Sequence, residues 1–228
     1  MLKGIDISNY QAGLDPHKLN IDFCICKATE GNFFVDEFCD GFVQDCINNG
    51  ILWGFYHFAR EWEPEREAQF FFENCAGYIG KGIPVLDYEV WGNNDDVTWC
   101  ERFLQKFHDL SGIWPMLYIS ASHCMDFAGS WIPQKCGLWV AGYPNADTTW
   151  TTADIPYNIA PWQFAAIWQF TSSLKLKGYG ASLDGDLAYM NKTAWRKYAG
   201  FSTKGEKTEE NTDSKKKILT GRVTIELD

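Results

Sequence analysis

The sequence alternates short runs of apolar, β-branched or aromatic residues with longer segments of helical periodicity, and this alternation strongly constrains the fold. Helical spacing runs from Val35 to Cys46 with a stop at Gly50, and again over about 64–78 and about 95–110. Strand–helix alternation predicts a parallel sheet, and eight strands predict that the sheet closes into a barrel. The eight predicted strands are Gly4–Ile7, Ile21–Cys26, Ile51–Phe58, Ile83–Val90, Trp114–Ser120, Leu138–Gly142, Ala166–Phe170 and Leu183–Met190.

Composition divides the chain into three parts. Helical segments become sparse after about Tyr143, so loops alone are expected to join the last strands of a barrel that occupies residues 1–200. Residues 201–217 are rich in lysine and acidic side chains and predict a polar linker. Residues 218–228 alternate once more like a single strand, which indicates either the start of a further module or a strand that pairs with a partner.

The charge balance and the apolar runs exclude several classes of partner. A net charge of −10 disfavours nucleic acid and anionic lipid surfaces. The start of the chain lacks the apolar run of a signal peptide, and no stretch reaches eighteen uninterrupted apolar residues, so synthesis in the cytoplasm without membrane insertion is expected. The eight cysteines lack disulfide or zinc spacing and are predicted to be reduced, mostly buried thiols.

Familiar nucleotide and nucleophile motifs are absent from the sequence. There is no GxxxxGK[ST] loop, no complete GxGxxG, no GxSxG elbow and no HExxH. His57 lies near the end of a predicted strand, where an oriented barrel residue bonded to a neighbour is favoured over a catalytic base.

Carboxylates interrupt the first, fourth and last of the predicted strands. In Ile83-Pro-Val-Leu-Asp-Tyr-Glu-Val90, Asp87 and Glu89 have a spacing of two, which places both on one side about 6.6 Å apart along the strand. Asp6 and Asp186 interrupt the first and last strands, although Asp184 competes with Asp186. Because unpaired buried carboxylates are costly, we expect the acids to converge on a solvent-filled barrel mouth.

Four acids at one mouth permit two chemistries, hard-metal binding or protonation of a glycosidic oxygen. The 37 aromatic residues exceed what a core of this size requires, so some are expected to line a cleft. Flat aromatic faces that stack on sugar rings favour the carbohydrate chemistry. Four of them occur toward strand ends and are predicted to bind substrate: Tyr56, Tyr118, Trp139 and Trp168.

Seven short motifs resemble, in order, those of the family 25 glycoside hydrolases, the lysozyme-like muramidases of phages, bacteria and some fungi. The resemblance covers about residues 2–197. The motifs are Gly4-Ile-Asp-Ile-Ser8, Lys27-Ala-Thr-Glu-Gly31, Gly54-Phe-Tyr-His-Phe58, Leu86-Asp-Tyr-Glu89, Leu138-Trp-Val-Ala141 with Tyr143, Trp168-Gln-Phe-Thr171 and Gly185-Asp-Leu187.

The resemblance implies an α/β, TIM-like barrel of eight strands with fewer than eight helices, of the (β/α)5(β)3 type. It also implies hydrolysis of the β-1,4 bond between N-acetylmuramic acid and N-acetylglucosamine in peptidoglycan. Glu89 would be the general acid, its pKa raised by crowding with other negative charges, with Asp87, Asp6 and Asp186 as acidic companions. Asp87 would orient the substrate N-acetyl group, whose carbonyl oxygen attacks the anomeric carbon. Gln169 joins the substrate-binding candidates.

The expected protein is therefore the catalytic portion of a phage endolysin or bacterial autolysin that acts on the wall after release. Its partners are peptidoglycan glycan strands and a possible wall-binding or oligomerising C-terminal module. No cofactor or metal is expected. Two alternatives stay open: a non-catalytic glycan-binding module on the same barrel, and a metal-dependent hydrolase using the clustered acids. Lys27 and Glu30 either form an ion pair at the mouth or cap a turn.

Overall fold

The computed structural model describes residues 1–92, 95–151 and 154–201. Five α-helices occur among these residues: α1 (Cys39–Asn49), α2 (Pro64–Cys75), α3 (Asp96–Ser111), α4 (Ile132–Lys135) and α5 (Lys192–Tyr198). The strands are β1 (Leu2–Ile7), β2 (Phe23–Glu30), β3 (Phe34–Val35), β4 (Leu52–Phe58), β5 (Ile83–Asp87), β6 (Met116–Ser120), β7 (Leu138–Ala141), β8 (Ile167–Leu174) and β9 (Leu183–Ala188).

Eight of the strands form a closed barrel. Their order around the sheet is β1, β9, β8, β7, β6, β5, β4 and β2, and a β1–β2 pairing closes the circle. The two-residue strand β3 is added to β2 outside this circle. The prediction of an eight-stranded TIM-like barrel with few helices is confirmed.

The last strand of the barrel runs against its neighbours. Strand β9 pairs antiparallel with both β8 and β1, whereas the pairings from β1 through β2 and β4 to β8 are parallel. The expectation of a wholly parallel sheet was therefore wrong. Its cause is the short β8–β9 connection, residues 175–182, which turns the chain back instead of crossing the barrel. The start of β9, not its end, consequently lies at the mouth.

The helices follow the sequence signals except at the start of α1, which begins at Cys39 because Val35 belongs to strand β3. Helix α1 stops at Gly50, whose φ of 69° provides the left-handed cap that glycine adopts readily. Helix α2 begins at Pro64, and α3 begins directly after Asp95. No helix in the described part of the chain is long and apolar enough to cross a membrane.

Alternate strand residues separate two apolar layers. One set fills the barrel, where Phe23 and Trp195 pack at a ring distance of 4.8 Å near the amino end of β2. The other set packs strands against helices and contains all of the buried cysteines. All eight cysteines are free and buried. The predicted linker 201–217, apart from residue 201, and the segment 218–228 lie outside the described residues.

Candidate active site

A cavity of about 250 Å³ opens at the carboxyl ends of the parallel strands. All but two of the nine residues predicted from the sequence line it, namely Asp6, Tyr56, Asp87, Glu89, Tyr118, Trp139 and Gln169. A larger cavity of about 510 Å³ lies near the amino end of β7, but no acidic side chain lines it. The acids therefore mark the smaller cavity as the site with chemistry.

Asp87 and Glu89, the mouth pair, come from the end of β5 and the two residues after it. Asp87 is buried and Glu89 is exposed, and their carboxyl groups are close enough to hydrogen bond. Burial raises the pKa of Asp87 well above its ordinary value, and the charges of Glu89 and Asp6 raise it further. Asp87 Oδ1 has no hydrogen-bond partner among the described residues.

The pKa of Glu89 is raised for a different reason from the one expected. Loss of water on the side facing the cavity raises this pKa, while the contact with Asp87 and the charge of Lys27 both lower it. Crowding by negative charge acts mainly on the deeper acids. Glu89 thus keeps its proton to a higher pH than an ordinary glutamic acid while remaining accessible from solvent.

Asp6 and Asp186, the floor pair, lie deeper and on neighbouring strands. Gln169 Nε2 donates to Asp6 Oδ2 at 2.6 Å, and Trp139 Nε1 donates to Asp186 Oδ1 at 2.8 Å. Burial, the charge of Asp184 and a smaller contribution from Glu89 raise the pKa of Asp6 to about 8. Burial and the charge of Asp6 raise the pKa of Asp186 well above its ordinary value, and a proton on Asp186 can be donated to Asp6.

Asp186 does not line the cavity and is completely buried. Asp184, its neighbour two residues earlier, lines the cavity instead and is half-buried. The reason is the antiparallel course of β9, which places Asp184 opposite Asp6 and Asp186 opposite Gly4, one pleat further from the mouth. Burial, followed by the charge of Glu89, raises the pKa of Asp184 to about 6. The sequence analysis chose Asp186 and kept Asp184 as a competitor, whereas the structure brings Asp184 to the cavity.

Trp168 is the second predicted site residue that the structure does not bring to the cavity. Its side chain is fully buried among the outer apolar layer, and its indole N–H donates to the Gly142 carbonyl at 2.9 Å. Adjacent strand residues point to opposite faces, so Trp168 and Gln169 cannot both face the mouth. The interpretation of Trp168 as a sugar-stacking residue was wrong.

Tyrosines hold Gln169 in place. The Tyr118 hydroxyl donates to Gln169 Oε1 at 2.7 Å, and the Tyr143 hydroxyl donates to the same oxygen. With its oxygen occupied in this way, Gln169 directs its amide nitrogen to Asp6. Tyr143 was present in a quoted motif, but its role at the cavity was not predicted.

Lys27 and Glu30 form an ion pair beside the cavity, which decides between the two alternatives for these residues. Arg60 Nε also donates to Glu30, to Oε1 at 2.6 Å. Lys27 lies 4.9 Å from the ring centroid of Phe58, which lines the cavity with it. The positive charge of Lys27 acts on the mouth pair, because it lowers the pKa of both Asp87 and Glu89.

His57 is a structural residue. It is fully buried, its Nδ1 lies 2.8 Å from Thr29 Oγ1, and its Nε2 lies 3.0 Å from Glu67 Oε2. Burial lowers the pKa of His57 despite the hydrogen bond to Glu67. Within the described ranges, no group of three or more His, Cys, Asp or Glu side chains is arranged to hold a metal ion.

Comparison with known proteins places this barrel in a family. Residues 5–179 match the model of the family described as Glycosyl hydrolases family 25. The chain belongs to glycosyl hydrolase family 25. It is a glycoside hydrolase by that membership, and the fold and the acid-lined cavity agree with it.

Family 25 relatives occur in fungi and phages. The chain is 26% identical over 216 residues to an N,O-diacetylmuramidase of Chalaropsis sp, covering 85% of this chain and 99% of the relative. It is 34% identical over 154 residues to a lysozyme of Streptococcus phage Cp-1, covering 62% of this chain but only 43% of the phage protein. A lysozyme structure from Streptomyces coelicolor superimposes with a TM-score of 0.74 at 22% identity, over 88% of this chain and 98% of that one, which shows the shared fold.

Proposed function

We propose that this family 25 enzyme hydrolyses the β-1,4 bond between N-acetylmuramic acid and N-acetylglucosamine in bacterial peptidoglycan. The observation that carries the proposal is the mouth pair, an exposed carboxylic acid of raised pKa beside a buried carboxyl group, in a cavity lined by aromatic side chains. The names of the relatives, N,O-diacetylmuramidase and lysozyme, support the same substrate.

Glu89 supplies the proton in this proposal. Its exposed position at the mouth lets its carboxyl group reach the glycosidic oxygen, and its raised pKa keeps the proton to a higher pH than an ordinary glutamic acid would. As the bond from the anomeric carbon to the leaving oxygen breaks, Glu89 gives its proton to that oxygen and becomes the anion.

Asp87 assists the substrate in forming the new bond. Its unpartnered Oδ1 is a buried acceptor that fits the N–H of the substrate N-acetyl group. Holding that group lets its carbonyl oxygen attack the anomeric carbon, after which water, deprotonated by Glu89, opens the cyclic intermediate. Asp184, whose pKa of about 6 leaves it mainly ionised at neutral pH, supplies negative charge around the developing cation. Tyr56, Tyr118, Trp139 and Gln169 bind the sugar.

The place of action in the proposal is the bacterial cell wall. Kinship with a phage lysozyme supports release of the enzyme by a phage, the endolysin role expected from the sequence. A wall-binding or oligomerising module after residue 217 stays a prediction of the sequence.

Reducing-end analysis of digested peptidoglycan tests the proposal. Purified wall is incubated with the wild type or with Glu89→Gln, reduced with borohydride and hydrolysed, and the reduced amino sugars are identified. Reduced muramic acid in the wild-type digest and none above background with Glu89→Gln is the expected result.

Other outcomes point to other activities. Reduced glucosamine would indicate a glucosaminidase, and no new reducing ends would indicate a glycan-binding module without activity. Loss of activity in a strong chelator would favour a metal-dependent hydrolase using the same acids.

A further inference from the structure

Two exposed aromatic side chains, Phe33 and Trp62, pair beside the mouth. Their side chains are 59% and 50% exposed, and their ring centroids are 5.4 Å apart with 33° between the planes. Phe33 follows β2 and Trp62 follows β4, two neighbouring strands whose carboxyl ends form part of the mouth. We call this pair the aromatic platform. Neither residue lines the cavity or takes part in the proposed reaction.

The backbone that carries Trp62 is held on both sides by buried side chains. The Trp62 N–H donates to Glu67 Oε1 at 2.7 Å, and the Trp62 carbonyl accepts from the indole N–H of Trp99 at 2.7 Å. Glu67 is fully buried, and its second oxygen accepts from the Arg60 N–H at 3.1 Å and contacts His57. An exposed tryptophan is therefore presented on a fixed backbone.

Positive φ angles shape the backbone beside both halves of the platform. Glu61, directly before Trp62, has a φ of 57°, which is unfavourable for a residue with a side chain. Gly31 has a φ of 55°, and a Cβ there would lie 2.8 Å from the Phe33 ring, so glycine is required for the ring to pack over it. The strain at Glu61 persists because the surrounding structure, including both hydrogen bonds to the Trp62 backbone, holds this segment in place.

The platform is continuous with the cavity. Lys27 and Phe58 line the cavity, Lys27 pairs with Glu30, and Glu30 pairs with Arg60, whose guanidinium lies 5.1 Å from the centroid of the Phe58 ring. On the other side, the hydroxyl of Tyr88, which stands between Asp87 and Glu89, donates to Glu61 Oε1 at 3.2 Å. The chain segment that bears the mouth pair therefore contacts the loop that bears Trp62.

The size of the cavity explains why a glycan needs a second contact. A cavity of about 250 Å³ is below the range of roughly 300–1,000 Å³ that encloses a drug-sized ligand. A polymeric substrate must therefore continue over the rim. Flat aromatic faces bordered by hydrogen-bonding groups such as those of Arg60 and Glu30 suit a sugar ring, whose C–H faces stack while its hydroxyls bond at the edge.

We propose that the aromatic platform of Phe33 and Trp62 is a carbohydrate subsite that stacks on a sugar ring of the glycan strand outside the cavity. The inference rests on the proposed function and deepens it, because it makes catalytic efficiency depend on the length of the strand.

A series of glycans of increasing length tests the subsite. Alternating N-acetylglucosamine and N-acetylmuramic acid oligosaccharides, from tetrasaccharide to octasaccharide, are digested by the wild type, Trp62→Ala and Phe33→Ala. On the longest substrate Trp62→Ala is expected to raise KM about tenfold, equivalent to about 1.4 kcal/mol, with kcat unchanged. On the shortest substrate that is cleaved, KM is expected to equal that of the wild type.

Two further variants serve as controls. Trp62→Phe keeps a flat ring and is expected to restore most of the affinity for long strands. Phe164→Ala removes a side chain that is 64% exposed but borders the cavity near the amino end of β7, and it is expected to leave every KM unchanged. Thermal unfolding of each variant shows whether it folds. If Trp62→Ala does not fold, Phe33→Ala still tests the subsite.

The outcomes separate the subsite from the proposed function. If the wild type releases no reducing ends from any glycan, the proposed function fails and the subsite fails with it. If the wild type cleaves glycans, but KM of Trp62→Ala and Phe33→Ala depends on glycan length in the same way as KM of the wild type, only the subsite is overturned. The same holds if the substitutions change self-association in sedimentation while leaving KM unchanged, because the platform would then join two copies of the chain.

Discussion

The mouth pair and the floor pair each bring two carboxyl groups into contact, yet their surroundings differ. Among the residues that the structure describes, each pair contains one buried oxygen that accepts no hydrogen bond, Asp87 Oδ1 and Asp186 Oδ2, but only the mouth pair has an exposed side chain, that of Glu89. Asp6 and Asp186 receive N–H donors from Gln169 and Trp139, and Asp186 is sealed from solvent. A proton on Glu89 can reach substrate, whereas a proton on Asp186 is enclosed by the protein. Contact between two acids therefore does not by itself make a catalytic site.

The largest effect is expected from removing the acid of the mouth pair. Glu89→Gln keeps the shape of the side chain but removes the transferable proton, and turnover is expected to fall by about 10²–10⁴-fold. Release of reducing ends from purified peptidoglycan measures this loss, with thermal unfolding as the check on folding. A variant that retains more than about a tenth of wild-type turnover would remove Glu89 from the proposed role.

Removing a donor from the floor pair is expected to affect stability. Trp139→Phe deletes the N–H that binds Asp186 and leaves space in the barrel, which should lower the free energy of unfolding by about 2–4 kcal/mol. Denaturant unfolding at neutral pH measures the change. Tyr143→Phe serves as the control, since its ring is 46% exposed and Tyr118 still binds Gln169. Equal stabilities for the two variants would contradict the structural role of the floor pair.

The pH dependence of stability distinguishes the pairs further. The pKa of Asp6 rises from 3.8 to about 8 on folding, so the folded chain binds a proton that the unfolded chain releases. The contribution to stability is complete below about pH 4 and is lost as the pH rises towards 8. Asp6→Asn should flatten the decline of the free energy of unfolding between pH 6 and 8. This window starts at pH 6 because the pKa of Asp184 is about 6. An unchanged slope would show that Asp6 does not carry this proton.

The smallest effect on turnover is expected from Asp186→Asn, the floor-pair substitution that corresponds to Glu89→Gln in the mouth pair. In Asp186→Asn the amide oxygen still accepts from Trp139 and the amide nitrogen still donates to Asp6. Turnover should change less than about fivefold, or less than about 1 kcal/mol. A loss as large as that of Glu89→Gln would make Asp186 a participant in the reaction and abolish the distinction between the pairs.

Local pattern predicted much of the fold. Short apolar, β-branched or aromatic runs identified all eight barrel strands, and helical spacing located α1, α2 and α3 within a few residues. The direction of β9 was not predictable in the same way, because a period of two shows which residues share a face but not which end of the strand lies at the mouth. That single direction determines whether Asp184 or Asp186 lines the cavity.

The site was predicted where its members share one strand and less well where they depend on distant contacts. The spacing of Asp87 and Glu89 was sufficient to place them together. The pKa of Glu89 depends on loss of water at the cavity wall and on Lys27, which strand spacing does not reveal. The fixed backbone of Trp62 depends on Glu67 and Trp99, five and 37 residues further along the chain.

The reversed final strand affects how the catalytic unit can be transplanted. The family match ends at residue 179, before β9 begins, although β9 completes the circle of strands and contributes Asp184. A fusion protein cut at that boundary would open the barrel along the edges of β1 and β8 and lose an acid. Helix α5 adds Trp195, which packs on Phe23, so a hybrid enzyme should join its foreign module after Tyr198.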